Sequence, residues 1–170
     1  VVTKRLAINH REKIIIRQPV KLLELWVESY LEKLKPGMYI GKFTWPEENN
    51  FAKIDEMSQR VIQKLGVGGE RGGELLTGYL KPGSMDLWID KKNLPKVKKS
   101  LKLMESVNGN IRVYSFFSKG MFYKMPKKNY KTLYVVHPLI VYADLIDATT
   151  DSRSHETAEM IKEKYLEWIR

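Results

Sequence analysis

Asp86 lies in the segment GGERGGELLTGYLKPGSMDLWID, residues 68–90, where glycine pairs, a Lys-Pro-Gly turn and two aspartates fall close together. Three kinds of chemistry would use such a set. A nucleotidyltransferase places a glycine pair at a helix start. On a following strand it carries two carboxylates one residue apart, which hold metal ions against a triphosphate. Gly72 and Gly73 precede the tripeptide SMD, residues 84–86, by a suitable distance. The first carboxylate position is Ser84, however, only Asp86 remains, and the later strand NIRVYSFF offers no third acid. One carboxylate makes a poor two-metal site. A metal-dependent nuclease would instead use the D-x-K sequence of Asp90, Lys91 and Lys92, with its partner aspartate farther upstream than Asp86. Glu70 or Glu74 could complete that site only by an unusual route. An enzymatic reading therefore rests on Asp86 with Glu70, Glu74 or Asp90. In the third reading, the backbone N–H groups of Gly68, Gly69, Gly72 and Gly73 cradle a phosphate at a helix N-terminus. A tight turn with close packing accounts for these glycines more simply.

Other chemistry-bearing residues are dispersed. His10, His137 and His155 have no metal-ligand spacing, and no Ser-His-Asp order carries a nucleophile-elbow signature. His137, between an apolar strand and Pro138, suits a buried, hydrogen-bonded turn; His155 suits a solvated first helical turn. Asp144, Asp147, Asp151 and Arg153 suit a capping and salt-bridge network that fixes the last helix. Two basic clusters stand out. Lys91, Lys92, Lys96, Lys98, Lys99 and Lys102 surround an apolar helical stripe, while Lys119, Lys124, Lys127, Lys128 and Lys131 flank Phe122, Tyr123 and Tyr130. Cations interleaved with aromatics suit a nucleic-acid backbone, with rings for stacking. A solvated face and a surface loop are the plainer alternative.

The elements that must position these residues alternate along the chain. EKIIIR, residues 12–17, reads as a short buried strand. Pro19 can open a helix, since its missing N–H costs nothing there. Leu22, Trp26, Tyr30 and Leu34 give that helix its apolar face, and Lys33 and Lys35 sit near its C-terminus, where the dipole favours cations. Pro36 and Gly37 should stop it. MYIGKF reads as a strand, TWPEENN as a loop, and Ile54, Met57, Val61, Ile62 and Leu65 as a second helix ended by Gly66. GELLTGYL is expected as a short helix and MDLWI as a strand. Leu94, Val97, Leu101 and Met104 mark a third helical stripe. Asn108 and Gly109 turn the chain into NIRVYSFF, and GMFYKMPKKNYK is expected as a loop. LYVV reads as a strand, Pro138 opens a helix, DATTDSRS links, and Ala158, Ile161, Tyr165 and Trp168 or Ile169 face inward on the last helix. The pattern predicts a single compact α/β or α+β domain over residues 1–170, a mixed sheet flanked by amphipathic helices. Its core could be a degenerate relative of a nucleotidyltransferase or nuclease.

Bulk properties set the outer bounds. With 170 residues, 43% of them hydrophobic, the chain can bury a real core. The absence of cysteine excludes disulfides, thiolate metal sites and cysteine nucleophiles, and fits a reducing, cytoplasmic interior. The longest apolar runs are too short and interrupted to span a membrane. The chain opens on Val1, so an N-terminal part is expected to be missing or removed. Thirty Lys and Arg against twenty Asp and Glu give +10, which makes nucleic acid an obvious partner.

Three blocks in order resemble one family. They are KLLELWVESYLEKLKPGMYIGKF, GGERGGELLTGYLKP, and HPLIVYADLI followed by DSRSHETAEMI. Together they resemble the AbiEi-type antitoxins, transcriptional regulators of type IV toxin–antitoxin systems in bacterial phage defence, over roughly residues 20–170. The resemblance implies a non-enzymatic C-terminal antitoxin domain without a cofactor. It implies a toxin that is a nucleotidyltransferase, opposed without a required stable complex, and a winged helix that binds operator DNA in full-length members. No winged helix precedes residue 20 here, and Val67 replaces the family's aromatic before Gly-Gly-Glu. Glu70, Tyr79, Pro82, Asp144, Arg153 and Glu156 match family positions. Nucleic-acid contact would fall to Lys91, Lys92, Lys96, Lys98, Lys99, Lys102, Lys124, Lys127, Lys128 and Lys131.

Overall fold

The computed structural model describes residues 4–8, 11–45, 51, 54–55, 65–127, 130–147 and 152–169. Strands β1 (Lys4–Ile8) and β2 (Arg11–Ile15) form an antiparallel ribbon of their own. Helix α1 (Pro19–Ser29) leads into a π-helical turn, Tyr30–Leu34, and then α2 (Lys35–Met38). Next come β3 (Tyr39–Thr44), β4 (Gly66–Gly68), α3 (Gly69–Thr77) and β5 (Met85–Ile89). After these follow α4 (Leu94–Leu101), β6 (Met104–Glu105), β7 (Ile111–Ser115), β8 (Phe122–Lys127) and β9 (Tyr130–Val136). Helices α5 (Pro138–Ile146) and α6 (Ser152–Tyr165) complete the domain.

Strands β3 to β9 form one sheet in the order β6-β3-β7-β5-β4-β9-β8. The pairs β5–β7 and β4–β9 are parallel and the others antiparallel, so the sheet is mixed and the fold α+β. The central strand β5 is buried throughout, as expected of a strand covered on both faces. Its two-residue period sends Met85, Leu87 and Ile89 to one face, with Val97 and Leu101 of α4, Ile111 and Val113. Trp88 goes to the other face, with Tyr30, Leu76, Tyr114, Ile140, Val141 and Ile161. The helices α1, α3, α5 and α6 pack on this second face.

Several local expectations need correction. Pro36 and Gly37 do not stop the first helix; the chain stays helical through Met38. The π turn explains why, because widening the helix shifts the backbone bonding to five-residue spacing, and the Lys35 N–H bonds to the Tyr30 carbonyl. Gly66 opens β4 and is buried. Only EKII of the expected buried strand EKIIIR joins a strand, and that strand belongs to the separate ribbon; Ile16 beyond it is exposed. Met104 belongs to an edge strand and is exposed. The expected loop GMFYKMPKKNYK is largely an edge hairpin, β8 with β9. Lysines and Pro126 look like loop signals, yet an edge strand tolerates both. Ile169 is buried and Trp168 exposed at the C-terminal turn. Most of TWPEENN, the middle of the second helix with Met57, Val61 and Ile62, and part of DATTDSRS lie outside the described residues.

Gly109 marks the tightest crossing in the fold. A Cβ there would fall 2.1 Å from the backbone oxygen of Phe43, whereas at Gly37 it would meet nothing within 4 Å. Gly109→Ala should therefore lower unfolding free energy by about 3 kcal/mol. Gly37→Ala, at an exposed helical position, should raise it by up to about 1 kcal/mol. Urea unfolding of the two variants checks this; equal midpoints would contradict the close approach.

Candidate functional site

Asp86 points to the helical face of the sheet because its neighbours Met85 and Leu87 take the other. It is fully buried. On the adjacent parallel strand its register partner is Arg112, whose Nε donates to Asp86 Oδ1 at 2.6 Å. From above the sheet comes Lys35, its Nζ 3.6 Å from Asp86 Oδ2 and 2.9 Å from Asp144 Oδ1. Asp144, on α5, also accepts from the Tyr30 hydroxyl at 2.9 Å. Two buried carboxylates are thus balanced by buried Lys35 and half-buried Arg112.

The π turn aligns the helical half of this cluster. Five residues in an α-helix overshoot a full turn by about 140°. In a π-helix five residues make about one turn, so Tyr30 and Lys35 reach the same side. Aromatic rings wall the cluster. Trp26 stacks on Tyr30 with centroids 5.2 Å apart, and Trp88 on Tyr114 at 4.8 Å. Lys35 Nζ lies 5.5 Å from the Tyr114 ring centroid. Gly69 opens α3 directly against Asp86, with φ +59°, and a Cβ there would lie 3.1 Å from the carboxylate carbon. The helix N-terminus therefore presents its positive end to a buried anion.

These contacts set the proton affinities. Burial works against the Lys35 charge, but Asp144 and Asp86 outweigh it and raise its pKa. Burial is the largest influence on Asp144 and raises its pKa, with Lys35 opposing. Tyr30 is raised well beyond the usual phenol range, first by burial and then by Asp144. Tyr114 is pushed up to about 12, first by burial and then by Asp86. Asp86 Oδ2, Asp144 Oδ2 and Trp88 Nε1 have no hydrogen-bond partner among the described residues.

The other expected acids are engaged elsewhere. Glu70 accepts from the N–H groups of Gly83 and Ser84, at 2.6 and 3.0 Å, and so fixes the Lys-Pro-Gly turn. Glu74 pairs with Arg71, which also holds Asp55. Asp90 accepts from the Lys92 N–H at 3.2 Å and caps the turn before α4. Among the described residues no three His, Asp or Glu side chains come together as metal ligands. Asp144 does not join a capping network with Asp147; it is buried beneath Lys35. His137 caps α5, its Nδ1 accepting from the Leu139 N–H at 3.2 Å, and is exposed rather than buried. The hydroxyl of Tyr79 donates to Glu156, which ties the end of α3 to α6.

The two lysine clusters are not brought together. Lys91, Lys92, Lys96, Lys99 and Lys102 are exposed on and around α4, and Lys98 is held by Glu105 at 2.6 Å. Lys124 is exposed on β8, at the far edge from β6. Lys127 and Lys131 fall on the same hairpin, and Lys128 lies outside the described residues. Sequence reasoning missed Tyr30, Lys35 and Arg112. By sequence Lys35 reads only as a cation near the helix C-terminus, favoured there by the dipole. The available signal was Arg112, a cation between Ile111 and Val113 in a strand otherwise made for the interior.

Together these features define a mixed-sheet α+β domain built around a buried, charge-balanced aspartate. A family model for transcriptional regulators that are AbiEi antitoxins of type IV toxin–antitoxin systems matches residues 14–167, and the chain belongs to that family. No curated protein and no solved structure gives a significant match.

Removing Lys35 leaves two carboxylates facing each other in the interior. Lys35→Met should cost about 3–5 kcal/mol, and adding Asp144→Asn should recover more than half of the loss. Independent, additive effects would contradict the cluster. The alkaline limb has a definite sign. Tyr30 and Tyr114 have raised folded pKa values, so the unfolded chain releases their protons first and stability falls as pH rises above about 10. The raised Lys35 acts in the same direction, its contribution being complete below its unfolded pKa and lost as pH climbs toward the folded one. Of nine tyrosines, at least these two should resist ionisation at about pH 11 until the protein unfolds. Tyrosinate absorbance against pH measures this, and full ionisation in folded protein would contradict it.

Proposed function

We propose that this chain is a non-enzymatic regulatory domain of an AbiEi-like antitoxin. In this role it opposes a nucleotidyltransferase toxin in bacterial phage defence, from the cytoplasm, without requiring a stable complex with that toxin. The family assignment supports the regulatory class. The observation that carries the non-enzymatic part is the state of Asp86. It is fully buried, and both its oxygens face protein cations, Arg112 Nε at 2.6 Å and Lys35 Nζ at 3.6 Å. Catalytic metals need carboxylate oxygens that an ion and a substrate can approach. Ser84, just before β5, stands where such a site would need its first acid, and β7 carries no acid at all.

The exposed lysines on and around α4 support a nucleic-acid interface, with DNA the expected partner of a transcriptional regulator. Such binding would be dominated by phosphate neutralisation and would weaken steeply with salt. Lys91, Lys96, Lys99 and Lys102 are the residues to test, since each is exposed.

Two measurements decide the matter. Incubation with nucleoside triphosphates, DNA or RNA and Mg²⁺ or Mn²⁺ should give no product. Turnover that disappears in Asp86→Ala would overturn the non-enzymatic assignment. DNA binding titrated against salt should show a steep log–log slope. Joint replacement of the four lysines by alanine should flatten it by about one unit for each phosphate no longer neutralised. An unchanged slope would remove α4 as the binding surface.

A further inference from the structure

The sheet ends unevenly at β6. This strand pairs with β3 only at Phe43 and Thr44. The last bond of the ladder runs from the Ser106 N–H to the Lys42 carbonyl at 3.0 Å. The chain then turns away, closed by the Gly109 N–H to the Ser106 carbonyl at 3.1 Å, and enters β7. Gly109 is pressed against the Phe43 backbone, so β6 cannot continue along β3. Tyr39, Ile40 and Gly41 consequently have a strand beside them on the β7 side alone, among the described residues.

A cleft of about 460 Å³ lies along this uncovered edge, lined by Tyr39–Phe43, Leu94 and Glu105–Val107. Large apolar side chains are exposed around it: Tyr39 at 49%, Met104 at 54% and Val107 at 86%. An unpaired strand edge beside apolar groups is where an extended peptide adds to a sheet. Main-chain bonds then give affinity, and alternate side chains give specificity. The charge around the edge is positive. Lys42 lines the cleft, Lys102 stands two residues before β6, and the neighbouring acid Glu105 is already held by Lys98. A second copy would set one +10 chain against another.

We infer that the β3 edge is a strand-addition site for an extended segment of another protein that alternates apolar and acidic residues. The site is distinct from the Asp86 carboxylate and does not depend on the proposed function, although Lys102 belongs both to this edge and to the α4 surface and Lys42 is the cross-strand neighbour of Arg112.

The probe is a synthetic peptide of about eight residues alternating valine and glutamate, added at up to roughly millimolar concentration to ¹⁵N-labelled full chain. Amide shifts confined to residues 39–43 and 104–107 are expected. Two controls should remove them: a peptide N-methylated at alternate residues, which loses its ladder donors, and one with lysine in place of glutamate. Val107→Glu, at the most exposed apolar position on the cleft, should weaken binding at least about fivefold. Absence of shifts, shifts elsewhere, or equal binding of the N-methylated peptide would each overturn the inference. Sedimentation showing that the free chain self-associates, with the same residues shifting, would overturn it in favour of a second copy.

Discussion

The ammonium group of Lys35, held between the carboxylates of Asp86 and Asp144, is the constraint on which the domain's architecture depends. A carboxylate taken out of water without a partner is prohibitively costly, so each of the two fixes the element opposite it. Asp86 belongs to the central strand, Asp144 to α5, and Lys35 to the end of the first helical run. One cation therefore joins the sheet to two helices. Arg112 completes the balance from the neighbouring strand, in register with Asp86.

Much of the backbone follows from that requirement. Lys35 and Tyr30 both serve Asp144, which requires residues five apart to share one side of a helix. An α-helix cannot provide this, and the π turn does. Pro36 becomes acceptable in the same stroke, since the hydrogen-bond ladder is already interrupted there. Gly69 lets α3 begin directly against the Asp86 carboxylate. The glycine-rich segment thus serves the interior, by allowing a helix N-terminus to approach a buried anion.

Residues with a strong local signal were legible in the sequence. The buried run MDLWI, the turn before NIRVY and the proline-opened helix at Pro138 all appear where pattern and turn chemistry place them. The mixed α+β class follows from the same alternation. The site was legible by half. Counting acids identified Asp86 as a lone carboxylate, but its partners come from positions 35, 112 and 144, and no local pattern encodes such pairings. A lysine before a proline at a helix end reads only as a cation favoured by the dipole until the helix widens. Likewise the β8–β9 hairpin was hidden because lysines and a proline suit a sheet edge as well as they suit a loop. Family membership supplies the regulatory class.

The central claim is that protein cations occupy the place around Asp86 that a metal would need. Thermal unfolding of the intact chain in increasing Mg²⁺ or Mn²⁺ tests it most directly, because an ion bound only by the folded state must raise the melting temperature. The account predicts a midpoint unchanged up to millimolar metal and equal to that of the chelator-treated protein. A rise with metal that vanishes in Asp86→Asn would contradict it.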